Sequence, residues 1–217
     1  MRVELRARTF FRYATPVGRR PARLRVDGRI SEWGAEHLLP DLTELEGGQG
    51  FAQVHLGWDE AGLYFGLRVT RKTHVVSQRQ NPRAGDGLLL WIDTRDVRDA
   101  HRASRYCHHF IALPRGGGAN RSRATAWQAH IHRAREQAPI CEPGVLRVAS
   151  DVAGDSYGLE LAVPARALHG YDPEQWPRLG FQYLVCDHEH GWQTWVSQPG
   201  LPFDWDPSLW GTVELVP

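Results

Sequence analysis

Lysine is almost missing from this chain. Lys72 stands alone among 26 basic residues, and Asn81 and Asn120 are the only asparagines, a skew that fits genomic base composition better than chemistry. Acid and base nearly cancel at a net charge of +1, so no global field draws in nucleic acid or an anionic membrane. There is no run of about 18 apolar residues, which excludes a transmembrane helix. The start, MRVELRARTFFRYATP, lacks the apolar centre of a secretory signal. The chain as written is therefore expected to be cytoplasmic, and extracellular only if a leader has been removed. Cys107, Cys141 and Cys186 are odd in number and widely spaced, which suits reduced thiols rather than a disulfide framework. Met1 is the only methionine, so a Met-ligated haem is excluded. Neither a G-x-S-x-G nucleophile turn nor a G-x-G-x-x-G phosphate loop occurs.

Tryptophan, by contrast, is abundant. Nine copies occur in 217 residues, and Trp both fills cores and stacks on ligand faces. Period-two apolar alternation is the dominant pattern. Val54, Leu56 and Trp58 alternate, Asp59 to Gly62 turns the chain, and Leu63, Phe65, Leu67 and Val69 alternate again, which predicts a β-hairpin. Further strands are predicted at 87–93, 108–113, 124–134, 145–152, 157–164, 178–187, 192–197 and 211–216. Only 164–170 has a helical turn pattern, opened by Pro164. These elements predict an all-β fold, a two-sheet β-sandwich of jelly-roll type with one short helical turn. The expected division is an N-terminal arm, residues 1–23, packing on a single sandwich domain, residues 24–217.

Six segments in order carry a resemblance: VDGRISEW (26–33), VHLGWDEAGLYFGLRV (54–69), GDGLLLWID (85–93), YGLELAVPARAL (157–168), LGFQYLVCD (179–187) and DPSLWGTVEL (206–215). Together they resemble the family 9 carbohydrate-binding modules over about residues 24–216. The resemblance implies a β-sandwich that grips sugar ends between aromatic rings and has no catalytic residues. Carried over residue by residue, it places Arg83 where sugar-binding members keep one stacking Trp, and Leu89 where they keep a pocket Glu. It places Ile111 and Leu113 at the Arg and Asn positions of the neighbouring strand, with Gln182, Leu184 and Cys186 on the next. Phe203 and Trp205 flank the second stacking position. The ligand residues it implies are thus Trp205 and Phe203 as stacking rings, Arg83 as a charged hydrogen-bond donor and Trp91 as a floor. Arg83 would suit an acidic or phosphorylated saccharide. A sugar facing Leu, Ile and Leu would lose about 1–3 kcal/mol for each hydroxyl left unpaired. Two functions follow as expectations: a non-catalytic carbohydrate-binding-like module, or a diverged sandwich serving as a protein-interaction or structural domain. The expected partner is a saccharide or a protein, with no nucleic acid and no membrane.

Strand alternation makes an independent statement about the same face. With Leu88, Leu90 and Ile92 turned to the core, Leu89, Trp91, Ile111, Leu113 and Leu184 form an apolar floor on the opposite side. A bare apolar patch of that size is unusual on a monomer. The N-terminal arm or the 115–144 segment is expected to cover it, unless it takes an apolar ligand or a protein partner. Other chemistry is less favoured. CHH (107–109), HIH (130–132) and CDHEH (186–190) contain metal-type ligands but match no zinc spacing. Asp86, Asp93, Asp96 and Glu160 form no recognisable acid–base constellation. Arg115, Arg121, Arg123, Arg133 and Arg135 are expected to make a solvated loop face. No cofactor, metal or catalytic residue is expected.

Overall fold

A computed structural model describes residues 5–217. Its eleven strands are β1 (Ala14–Val17), β2 (Ala52–Asp59), β3 (Gly62–Thr70), β4 (Gly87–Asp93), β5 (Cys107–Gly117), β6 (Arg123–Ala129), β7 (Arg147–Ala153), β8 (Ser156–Pro164), β9 (Arg178–Asp187), β10 (Gly191–Thr194) and β11 (Gly211–Leu215). They form two sheets. One has seven strands in the order β1-β11-β9-β4-β5-β6, with β10 added to β9; the other has four, β2-β3-β8-β7. The chain is therefore an all-β sandwich, as its alternation predicts.

Each inner face comes from that alternation. Leu56, Phe65, Leu67, Leu159 and Leu161 of the small sheet meet Leu88, Leu90, Phe110, Phe181 and Val185 of the large one. Phe65 stacks on Phe181 across the layers, with ring centroids 5.9 Å apart. The hairpin of β2 and β3 closes where Asp59 pairs with Gly62. There the Asp59 side chain accepts from the amides of Ala61 and Gly62, an Asx-type turn.

The arm is tied to the sandwich at several places. β1 pairs in parallel with β11. Upstream, the buried Arg8 guanidinium donates to the Thr194 carbonyl at 2.8 Å and to the Thr194 hydroxyl at 3.0 Å. Residues 1–4 of the expected arm lie outside the described residues. Asp27-Gly28 forms the turn its sequence suggests. Gly28 has φ +90°, and a Cβ there would sit 2.3 Å from backbone atoms of Ser150 and Asp151, so only glycine fits.

Two expectations need correcting and a third is narrowed. Helical structure is not one turn at 164–170 but seven short 3-10 segments among the described residues, of which Ala165–Ala167 is one. They sit in connections, where a single tight turn is enough to redirect the chain. The strand predicted over 124–134 stops at Ala129. Beyond it Gln137 takes both backbone groups of Ile131, accepting from its amide at 3.1 Å and donating to its carbonyl at 2.7 Å, which folds the chain back. Of the two covers expected for the apolar floor, the arm contributes none among the described residues and the 115–144 segment contributes part. That floor is a second core of Leu89, Trp91, Ile111, Leu113 and Leu184, closed by Ala103, Ile131, Phe203 and Trp210. The 115–144 segment supplies part of the lid, through Ile131 with Trp127, Ala129 and Ala134, and the 203–210 segment another part, through Phe203 and Trp210 with Trp205 and Leu209.

Candidate functional site

The lid decides what this face can offer a ligand. Trp91 is only 1% exposed and Phe203 only 2%. Phe203 stands edge-on to Trp91 at 5.3 Å, while His109 stacks on Trp91 at 4.4 Å. Trp210 donates its indole N–H to the Phe203 carbonyl at 2.7 Å, pinning the lid from behind. Phe203, implied by the resemblance as a stacking ring, and Trp91, implied as a floor, are thus both buried and present no open face to a ligand. Leu89 is likewise sealed, paired with Ile111 on one side and Leu184 on the other.

Arg83 and Trp205 do reach the surface. Arg83 lies in a short 3-10 turn, Pro82–Ala84, just before β4. Its guanidinium donates to the Asp204 carboxylate at 2.7 Å, and each side chain of this pair keeps 32% of its exposure. The half-buried Trp205 follows directly, with Arg133 held 5.2 Å from its ring and His132 edge-on at 6.2 Å. On the other side of Arg83 lies Trp192 of β10. Its ring is 5.8 Å from the guanidinium, and its N–H donates to the Arg83 carbonyl at 3.1 Å. Trp192 is 46% exposed and opens onto a trough of about 1010 Å³ bordered by Phe51, Arg6, Glu46 and Gln193. The result is a rim with one exposed indole, Trp192, a half-exposed Arg–Asp pair and the half-buried Trp205.

Sequence reasoning did not find Trp192. The signal was available: Trp192 and Trp195 lie three apart in an extended segment, so one must face away from the core. Trp195 is fully buried and Trp192 is the one that leaves.

The carboxylates considered for catalysis are instead engaged in holding loops. Asp93 accepts from the amides of Arg95 at 3.0 Å and Val97 at 2.8 Å, and burial pushes its pKa up to about 6. Glu160 accepts from the amides of Asp27 and Gly28 and from the Trp33 indole at 2.9 Å. Burial also raises its pKa. Asp86 accepts from the amides of Val76 and His188. The buried Lys72 ammonium joins Asp86 at 3.1 Å to Asp187 at 3.0 Å. Burial opposes its charge, but the hydrogen bonds to Asp187 and Asp86 outweigh burial and the Lys72 pKa is raised.

The histidine clusters are dispersed in the same way. His108 stacks on Phe110, and His190 lies against the carbonyls of Thr70 and Arg71. Among the described residues, no group of three or more His, Cys, Asp or Glu is placed to hold a metal ion. Burial pushes the pKa of Cys107 and of Cys186 up to about 12, which keeps both as unreactive thiols at neutral pH.

No protein-family profile matches the sequence, and no curated protein matches it. Solved structures do. A family 9 carbohydrate-binding module from Caldicellulosiruptor kristjanssonii in complex with cellotriose superposes with a TM-score of 0.64 at 15% identity, covering 94% of this chain and 93% of that one. A family 9 module from the same organism in complex with glucose gives 0.60 at 14% identity, with 94% and 96% covered. At this identity the likeness establishes the fold: the chain has the sandwich of the family 9 carbohydrate-binding modules along nearly its whole length.

Proposed function

We propose that the protein is a non-catalytic saccharide-binding module whose binding surface is the rim of Trp192, Arg83, Asp204 and Trp205. The observation that carries this reading is the exposed Trp192 indole beside a half-exposed ion pair, with the half-buried Trp205 next to Asp204 in the chain. A pyranose needs an apolar face for its C–H side and polar groups for its hydroxyls. Here the indoles supply the first, and the Arg83 donors with the Asp204 acceptors supply the second. That the structurally similar modules were solved with cellotriose and glucose supports the ligand class.

Binding would differ in kind from a deep pocket. With Phe203 over Trp91, the space behind Arg83 is closed, and a sugar would lie along the edge rather than enter the face. The trough beside Trp192 would take further residues of a chain. The sealed floor is also the observation favouring the second reading, a diverged sandwich that holds a protein partner or serves structure alone.

A glycan array followed by titration calorimetry separates the two. Trp192→Ala and Trp205→Ala should each weaken a saccharide that binds by about tenfold or more, which is ~1.4 kcal/mol. Trp192 is exposed, so thermal unfolding of its variant should change little, whereas Trp205 packs partly on the second core and its variant should unfold at a lower temperature. Absence of binding to any glycan at millimolar concentration would decide for the second reading.

A further inference from the structure

A separate groove lies between the 75–81 segment and the β5–β6 hairpin. It encloses about 640 Å³, and its charged lining is Arg79, Arg115 and Arg121 alone. All three are exposed. Among the described residues none of the three has a carboxylate partner. Several other arginines in this chain do: Arg19 pairs with Glu60, Arg20 with Asp59 and Arg83 with Asp204.

The primary structure explains the imbalance. No Asp or Glu occurs from residue 61 to residue 85, a stretch with Arg68, Arg71, Lys72, Arg79 and Arg83. None occurs from 100 to 135 either, where every charged residue is arginine. A net charge of +1 thus hides two acid-free stretches, and the fold sets them against each other across this groove. The amides of Gln78, Gln80 and Asn81 add neutral hydrogen-bonding groups beside the guanidinium groups. Arg79 lies 5.5 Å from the Trp127 ring, so an aromatic face stands next to the charge. Guanidinium pairs bidentately with carboxylate and sulfate, and the side-chain amides match hydroxyls.

We infer that this groove binds an anionic saccharide, one bearing uronate carboxylates or sulfate esters, through Arg79, Arg115 and Arg121. The inference rests on the proposed saccharide-binding function and names the ligand class at a second place on the same sandwich. Three unpaired guanidinium groups in one concave site repel each other, and an anion relieves that repulsion as it binds. Affinity should therefore fall as salt is added.

The probes are polygalacturonate and dextran sulfate, with uncharged dextran and a single-stranded oligonucleotide as controls, read by affinity electrophoresis and calorimetry. The variant is Arg79→Gln, Arg115→Gln and Arg121→Asn combined. Asn is chosen at 121 because that residue has φ +57° and Asn tolerates the left-handed region. One or both acidic polysaccharides should bind, with at least a tenfold loss in the triple variant and unchanged thermal unfolding. The Trp192→Ala/Trp205→Ala double variant should keep that binding. Acidic binding that survives the arginine changes overturns the inference, as does an oligonucleotide that binds the groove equally well. If dextran or another neutral glycan binds through the Trp rim while neither acidic polymer binds, this inference falls and the proposed function stands. If no saccharide of either kind binds, both fall.

Discussion

Glu160 shows how a single side chain can look catalytic in sequence and be structural in space. It sits mid-strand in β8, opposite Gly66, with one oxygen accepting two backbone amides from the Asp27-Gly28 turn and the other accepting the Trp33 indole. All three bonds need an acceptor, and a carboxylate offers acceptors on both oxygens. Glu160→Gln should therefore destabilise the fold by about 1–3 kcal/mol, because its NH₂ must face a donor whichever way it turns. Chemical denaturation reads this directly. An unchanged midpoint would mean that the turn is not held by this residue. Lys72 follows the same logic with opposite charge: the chain's only lysine is buried as the cation between Asp86 and Asp187. Neither role was legible in the sequence, since every partner of Glu160, and Asp187 among those of Lys72, lies more than 100 residues away, whereas the Gly28 turn was legible because Asp-Gly is a local signal.

Among the elements, β4 carries most of the information about what this face has become. Its alternation was readable: Leu88, Leu90 and Ile92 enter the main core, and Leu89 and Trp91 enter the second. What closes over Leu89 and Trp91 was not readable, because Phe203 and Trp210 belong to an irregular segment in which no period fixes direction. For Trp192, alternation says that either it or Trp195 faces out, but a strand of four residues does not say which. The reading of β4 leads to a test of whether this face can accept a carboxylate. Leu89→Glu puts a carboxylate in a site that is 2% exposed, between Ile111 and Leu184. An unpaired buried charge there should cost on the order of 3 kcal/mol or more. Thermal unfolding should drop by several degrees with no gain in sugar binding. A stable variant with new affinity for glucose would show that the lid opens.

For the molecule as a whole, the most consequential shared property is its response to acid. His55, His108 and His109 are buried, and burial holds the pKa of each down at about 4. His108 is also held as a neutral ring by an accepted hydrogen bond, whereas the bond of His109 is a donor bond that either form keeps. His109 donates to the Leu90 carbonyl, and His108 accepts from Gln128 while donating to the His169 carbonyl. An unfolded histidine takes up its proton near pH 6.5, so between about 6.5 and 4 the unfolded chain binds more protons than the folded one. Stability from these groups is present above that window and lost through it as pH falls, on the order of 2–3 kcal/mol for each histidine. Asp93 works the other way. Its folded pKa of about 6 means that its cost is felt as pH rises from its unfolded value of 3.8, and acidification relieves it. Glu160, also raised, has the same sign. From pH 6.5 down to 6 the histidines act with little opposition. Below 6 Asp93 offsets about one of the three. The urea midpoint should therefore be clearly lower at pH 5 than at pH 7, and His109→Gln should make that dependence shallower by about one proton. Gln keeps a donor for the Leu90 carbonyl, so the slope can change without the local bond being lost. A midpoint that is flat across the window, or a slope unaffected by His109→Gln, would remove buried neutral histidine as the source of acid sensitivity.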